Sequence, residues 1–369
     1  MKRLLLVGAG HAHALVLRDW ARRPLPGVEL TVVSPQACAP YSGMVPGWLA
    51  GHYRLAQIGI DFERLAAHAG ARWLRGELHA LDADRRIATL ADGQALDWDL
   101  LSVNVGSTLR PPAAPAGTTG PAMLPLRPLV RLLHDWPAWL QRWQQAPASR
   151  PLHVTAVGGG AAGVESLLAA LARLRALHPQ RRVQGRLVTQ GATLLPGFAP
   201  CAVRAAQAAL SRAGVELRLA TPWHESLAAD TDAVLWATGA EPHDWQLDTA
   251  RRGGLAADER GFLRIDAQLR SVSHPAVFAA GDCAAFAPPL PKAGVFAVRM
   301  GPLLARNLRA ALGDGRAAAY EPQRRFLALL ATGDGRAIAS RGRLGTEGRW
   351  VWRWKDHIDR GFVARFADA

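Results

Sequence analysis

Two glycine-rich stretches hold the residues whose types and spacing point to chemistry. Gly8-Ala9-Gly10-His11-Ala12-His13 follows the apolar run Leu4-Leu5-Leu6-Val7, and Gly158-Gly159-Gly160-Ala161-Ala162-Gly163-Val164-Glu165 follows Val154-Thr155-Ala156-Val157. Each reads as a buried strand, a tight turn and the start of a helix. The first glycine permits the turn, and the second removes the side chain that would hold a pyrophosphate away from the N–H groups at the helix N-terminus. The first copy lacks the third glycine of G-x-G-x-x-G, because His13 holds that place. The second copy is complete. Two such copies in one chain predict two nucleotides brought face to face.

The elements that must position these loops are legible around them. Gly27 to Ser34 reads as the second strand after the first loop, and Val183 to Gln190 as its counterpart after the second. An acid usually closes this strand and binds the adenosine ribose. Here Ser34 and Gln190 stand in its place, each able to bind a hydroxyl without charge. A helix capped by Asp61, a small meander over 71–94 and a strand from Trp98 to Gly106-Ser107 follow the first unit. The Pro-rich stretch 111–128 reads as a linker. Trp136, Trp139 and Trp143 recur at helical spacing, the pattern of a core stripe. Strands ending in Trp236-Ala237-Thr238-Gly239 and in Gly281-Asp282 complete the set. The fold class expected is α/β, with two Rossmann-like, three-layer dinucleotide-binding domains and a small C-terminal cap. The first domain would take residues 1–112 and 246–314, the second 113–245 and the cap 315–369.

Bulk properties narrow the function. A chain of 369 residues with 49% hydrophobic and 20% charged residues is an ordinary globular protein of about two domains. The formal charge of +14 is almost all arginine, since lysine occurs only at Lys2, Lys292 and Lys355. No basic run interleaved with aromatics resembles a nucleic-acid module, so no nucleic-acid partner is expected. The apolar run after Lys2-Arg3 is broken by glycines and histidines, and no stretch is long enough to span a membrane. A cytoplasmic protein follows, at most peripheral on the inner face of the cytoplasmic membrane. Cys38, Cys201 and Cys283 form neither an adjacent dithiol nor a zinc spacing, and His11 and His13 alone make no metal site.

The whole pattern of glycine loop, GGGAAGVE, WATG and VFAAGDCA resembles the pyridine nucleotide-disulfide oxidoreductases, and more closely the type II NADH dehydrogenases. The segments PYSGMVPGWLAGHY, PKAGVFAVRMGP and RRFLALLATGDGRAIASRGR are similar to flavoproteins fused to, or encoded beside, selenide, water dikinase, which places selenium metabolism among the expectations. The resemblance covers nearly the whole chain. It implies FAD on Gly8, Gly10 and Asp282, with His11 near the phosphates and Ser34, Gly106, Gly281 and Gly294 completing that site. It implies NADH or NADPH on Gly158, Gly160, Gly163, Gln190 and Gly239. Lys292, in the stretch Pro291 to Gly294 that precedes a helix running through Val295, would add positive charge where reduced flavin is anionic. In related flavoproteins the counterpart of Glu165 sits near nicotinamide and flavin; a plain first-turn helix acid is the other reading.

The flavin supplies the redox chemistry. Without a dithiol, its electrons would leave to a small acceptor such as a quinone. The tail places Trp350, Trp354, Ile358, Phe362 and Phe366 on roughly one helical face, with arginines and Lys355 around it, a pattern suited to a membrane interface. Packing on the protein body or on a homodimer partner is the alternative, and Trp350-Trp352-Trp354 also alternates as a strand would. Two rival functions remain: a sulfur or selenium substrate relayed through Cys38 or Cys283, and a non-catalytic flavin redox sensor docking with a selenium-handling protein.

Overall fold

A computed structural model of the chain describes residues 1–112, 120–145, 151–251 and 254–367. Strand β1 (Lys2–Val7) is buried from Leu4 to Val7, as a strand covered on both faces must be. It runs through the glycine turn into α1 (His11–Arg22). β2 (Val28–Ser34), β3 (Arg72–Arg75) and β4 (Leu100–Val103) join β1 in one parallel sheet. The meander is shifted along the chain from the expected 71–94: it comprises Leu78–Asp82, Ile87–Leu90 and Ala95–Asp97. The expected first strand of the meander is instead β3, paired from Thr31↔Arg72 to Ser34↔Arg75, because Trp73 and Leu74 pack on the first core.

The chain then builds a second parallel sheet. Its strands are β5 (Ala122–Pro125), β6 (Leu152–Val157), β7 (Val183–Val188), β8 (Val215–Arg218) and β9 (Ala233–Trp236). β5 corrects the reading of 111–128 as a plain linker, of which 113–119 lie outside the described residues. It is an edge strand paired only with β9, where a terminal proline is tolerated. Helix α2 (Leu129–Gln145) buries Trp136, Trp139 and Trp143 in one stacked row, with centroid separations of 5.4 and 6.3 Å. Helix α3 (Ala161–Leu177) follows the second glycine turn.

With β10 (Val277–Ala279) the chain returns to the first sheet. The two sheets read β10-β4-β1-β2-β3 and β5-β9-β6-β7-β8. They share one pattern, with each glycine loop leaving a central strand where the order reverses. Such a switch point opens a crevice at the C-terminal strand ends. Helix α4 (Gly294–Leu312) packs on α1, with Gly301 against Leu15 and Ala12. β11 (Ala328–Ala331), β12 (Ala337–Arg341) and β13 (Leu344–Gly348) form an antiparallel sheet, and α5 (Arg349–Ala364) closes the fold.

The tail is helical, as one of its two readings had it, but its aromatic face is divided. Phe362 and Phe366 are buried in the first core, whereas Trp350, Trp354 and Ile358 are 56%, 40% and 39% exposed.

The second glycine loop distinguishes packing from open space. A Cβ on Gly163 would lie 2.0 Å from the Gly158 carbonyl oxygen, while one on Gly160 would meet nothing within 4 Å. Gly163→Ala is therefore expected to cost about 1–3 kcal/mol of stability, and Gly160→Ala much less. Urea unfolding midpoints of the two variants check this.

Candidate functional site

Between the two switch points runs one cavity of about 1840 Å³, whose wall takes residues from both glycine loops. At its first end, Asn104 fixes the loop. Its Oδ1 accepts from the Ala12 and His13 backbone N–H groups at 3.0 and 3.3 Å, and its Nδ2 donates to the Ala280 carbonyl at 2.6 Å. One buried amide thus joins the start of α1 to the end of β10. Gly10 is required here, since its Cβ would fall 2.1 Å from Asn104 Oδ1.

His13 also has a place. It is fully buried, with Nδ1 2.7 Å from the Gly8 carbonyl oxygen and Nε2 2.8 Å from Ser102 Oγ. A carbonyl only accepts, so Nδ1 carries the proton and Nε2 accepts from the serine. The missing third glycine is thereby replaced by a side chain that ties the loop to β4.

Of the sequence-predicted cofactor residues, Gly8, Gly10, His11, Ser34, Gly106, Asp282 and Gly294 lie in the cavity wall around the first loop. Gly158, Gly160, Gln190 and Gly239 lie in it around the second. Gly163 and Gly281 stand behind the wall, packed on Gly158 and Asn104 respectively. Lys292 is in the wall, its Nζ donating to the Ala284 carbonyl at 2.6 Å and lying 3.7 Å from the centre of the Phe262 ring. Burial lowers its pKa.

Arg127 was not foreseen. It leaves the end of β5 and reaches the first unit, where it donates to Asp282 Oδ2 and Ser107 Oγ, both at 2.5 Å, and to the Lys292 carbonyl at 3.0 Å. It sits in a proline-rich stretch whose composition gave no sign of it. A cation at the Gly-Asp turn suits a phosphate-bearing ligand.

Where α3 meets the tail, Glu165 Oε1 accepts from the Ala331 N–H at 2.7 Å. Burial pushes this carboxyl up to about 7, against the pull of the Lys355 charge. Lys355 donates to Asp359 Oδ2 and to the Gly43 carbonyl, both at 2.6 Å, and the two side chains are about 5% exposed. Lys355, expected among the cations around the tail's apolar face, is instead buried, and Asp359 was unforeseen: in the helical tail their i, i+4 spacing puts both on its inner face. Cys283 is buried with its thiol pushed up to about 11, and burial also raises that of Cys38. Neither is an activated thiolate.

These residues fit two dinucleotides. Neither Gly10 nor Gly160 caps its helix with a side chain, and Gly160 presents bare backbone to open space. The indole Nε1 of Trp236 and the Nε2 of His243, both from cavity-wall residues, are buried without a protein partner. Among the described residues no three His, Cys, Asp or Glu side chains group as a metal site.

Fold and site together define a two-dinucleotide oxidoreductase. The chain belongs to the pyridine nucleotide-disulphide oxidoreductase family, whose model matches residues 2–301. This is a family of FAD-binding, NAD(P)H-dependent enzymes. The NADH dehydrogenase-like protein Rv1812c of Mycobacterium tuberculosis is 31% identical over 77% of this chain and 73% of its own. In fold, the chain is similar to the NDH2 of Plasmodium falciparum (TM-score 0.78, 12% identity, 99% of this chain and 97% of that one). It is likewise similar to the sulfide:quinone oxidoreductase of Aquifex aeolicus (TM-score 0.77, 14% identity, 100% and 92%).

Burial lowers His11 and His13 to about 4, below their ordinary 6.5. Between those values the unfolded chain binds more protons than the folded one, so stability is full above about 6.5 and is lost as pH falls toward 4. The shift on fully buried His13 corresponds to about 3 kcal/mol. Chemical denaturation across this window is expected to show a steeper fall for the wild type than for His13→Gln.

Proposed function

We propose that the chain takes hydride from NAD(P)H onto FAD and delivers the electrons to a lipid-soluble quinone, with Glu165 supplying a proton. The observation that carries this reading is the half-buried Glu165 carboxyl, in the cavity wall and raised to about 7. Bound FAD supplies the two-electron relay. Reducing a quinone to a quinol takes two electrons and two protons, so an acid poised near neutrality is what the acceptor side needs. Lys355 and Asp359, behind Glu165, provide charged groups through which that proton is replaced. Lys292 and the first turn of α4, which holds no acid, supply positive potential for the reduced flavin.

Helix α5 supports a lipid-soluble acceptor. Lys355 and Asp359 lie on its inner face beside Gly43, while exposed Trp350 and Trp354 stack at 6.2 Å on the outer face with Arg349 and Arg353 nearby in sequence. An apolar, basic outer face suits peripheral contact with an anionic membrane. A second copy of the chain is the competing occupant. Among the described residues no helix is long and apolar enough to cross a membrane.

The sulfur or selenium reading has in its favour that Cys38 lies in the cavity wall and that the sequence resembles flavoproteins linked to selenide, water dikinase. It is weakened by the raised pKa values of both thiols.

Glu165→Gln is expected to leave flavin reduction by NAD(P)H intact while slowing quinone turnover roughly 100-fold. In the wild type, turnover should decline as pH rises through about 7 and the acid form of Glu165 is lost. The variant should lack that inflection, and stopped-flow measurement of each half-reaction across pH decides. An unchanged pH profile would contradict the proton-donor role.

A further inference from the structure

We propose that Glu77 and His243 hold the adenosine ribose of FAD, taking over the task that an acid at the end of β2 would perform. This rests on FAD occupying the first glycine loop. The residue at the end of β2, Ser34, is already engaged. Its hydroxyl donates to the Gln36 carbonyl at 2.6 Å and accepts from Trp73 Nε1 at 3.2 Å, and the residue is 1% exposed. That hydroxyl has given its one proton, and its oxygen, already accepting from Trp73, is shut in by burial. Any further grip on a ribose at this end of the cavity must come from a neighbour.

The neighbouring strand provides one. β3 pairs with β2 so that Arg75 stands opposite Ser34, and the next residue, Gly76, donates its N–H to the Ser34 carbonyl at 3.0 Å. Glu77 follows directly, exposed and in the cavity wall. In the same wall stands His243, on the segment that leads back from the second unit to the first. Burial keeps the His243 ring neutral, the Val105 carbonyl acts on one ring nitrogen, and the Glu77 charge is felt at the ring. The nitrogen facing a carbonyl must carry the proton, so Nε2 is a bare acceptor, and it is buried with no protein partner. The nearby Arg110 is held by Glu241 at 2.7 Å and Asp244 at 2.6 Å.

A carboxylate and an unpaired imidazole nitrogen are two acceptors. The matching ligand group is one with two O–H donors on adjacent carbons, a ribose diol. An unsatisfied buried acceptor carries a cost that such a donor removes. No acid in the position usual for this fold is then needed, because the carboxylate comes from one strand further along the sheet.

The test is calorimetric titration of the apoprotein with FAD and with an FAD analogue lacking both hydroxyls of the adenosine ribose. Wild-type protein is expected to bind FAD roughly tenfold or more tighter than the analogue. Glu77→Ala, an exposed substitution whose fold is checked by its thermal midpoint, is expected to lose most of that preference by binding FAD less well. Equal wild-type affinity for the two flavins overturns the proposal, whether or not the variant folds, and so does a folded Glu77→Ala protein that keeps the full preference. An apoprotein that binds neither flavin would instead overturn the reading of the first loop itself.

Discussion

The first cradle depends on what surrounds the buried amide of Asn104. Gly8, Gly10 and Gly281 all approach this residue so closely that a Cβ on any of them would lie within 2.8 Å of its atoms. Its side chain satisfies two N–H groups at the start of α1 and one carbonyl at the end of β10. Removing it would leave two buried N–H groups without partners, each costing about 1–3 kcal/mol, and the Ala280 carbonyl with only the weak Cys283 thiol donor. The glycine loop, the strand that returns from the second unit and the Gly-Asp turn therefore take their positions from one hydrogen-bonded centre. His13 adds a second tie, from the loop to Ser102.

The second cradle is built by the same strand pattern and solved differently. There the helix start comes so close to the turn that Gly163 cannot carry a side chain, and the strand end at Ala237 presses on Gly158. Two switch points face one cavity, and Arg127 pins the units together at Asp282. The C-terminal helix then closes the remaining side with a buried Lys355–Asp359 pair next to Glu165. The proposed reaction leaves electron transfer to the cofactors and gives the side chains the tasks of supplying protons and charge.

Much of the fold was legible because it rests on local signals. The two glycine loops, the Asp61 cap and the tryptophan stripe each announce themselves within a few residues, and β4, β9 and β1 from Leu4 onward are buried runs. What escaped was non-local. Arg72–Arg75 alternates like a meander strand, and only the free edge of β2 makes it part of the main sheet. Arg127 is one arginine among many until the sheets are placed together. Ser34 could be recognised as a departure from the usual acid, but its engagement with Trp73 depends on a strand 39 residues away. Lys355 and Asp359 acquire meaning only when the tail is a helix packed on Gly43. Motif residues were visible in the sequence, whereas residues that act through pairing with a distant element were not.

The central claim is that both cradles act on one reaction, with a nicotinamide nucleotide reducing the flavin across the shared cavity. Anaerobic titration of the FAD-loaded protein with NADH, and separately with NADPH, tests it most directly through the flavin absorbance bands. Bleaching by about one equivalent of either nucleotide is the expected result for a two-electron relay. Bound flavin that stays oxidised in the presence of excess NADH and NADPH would contradict the account, leaving the second glycine loop as a fold element without a part in the chemistry.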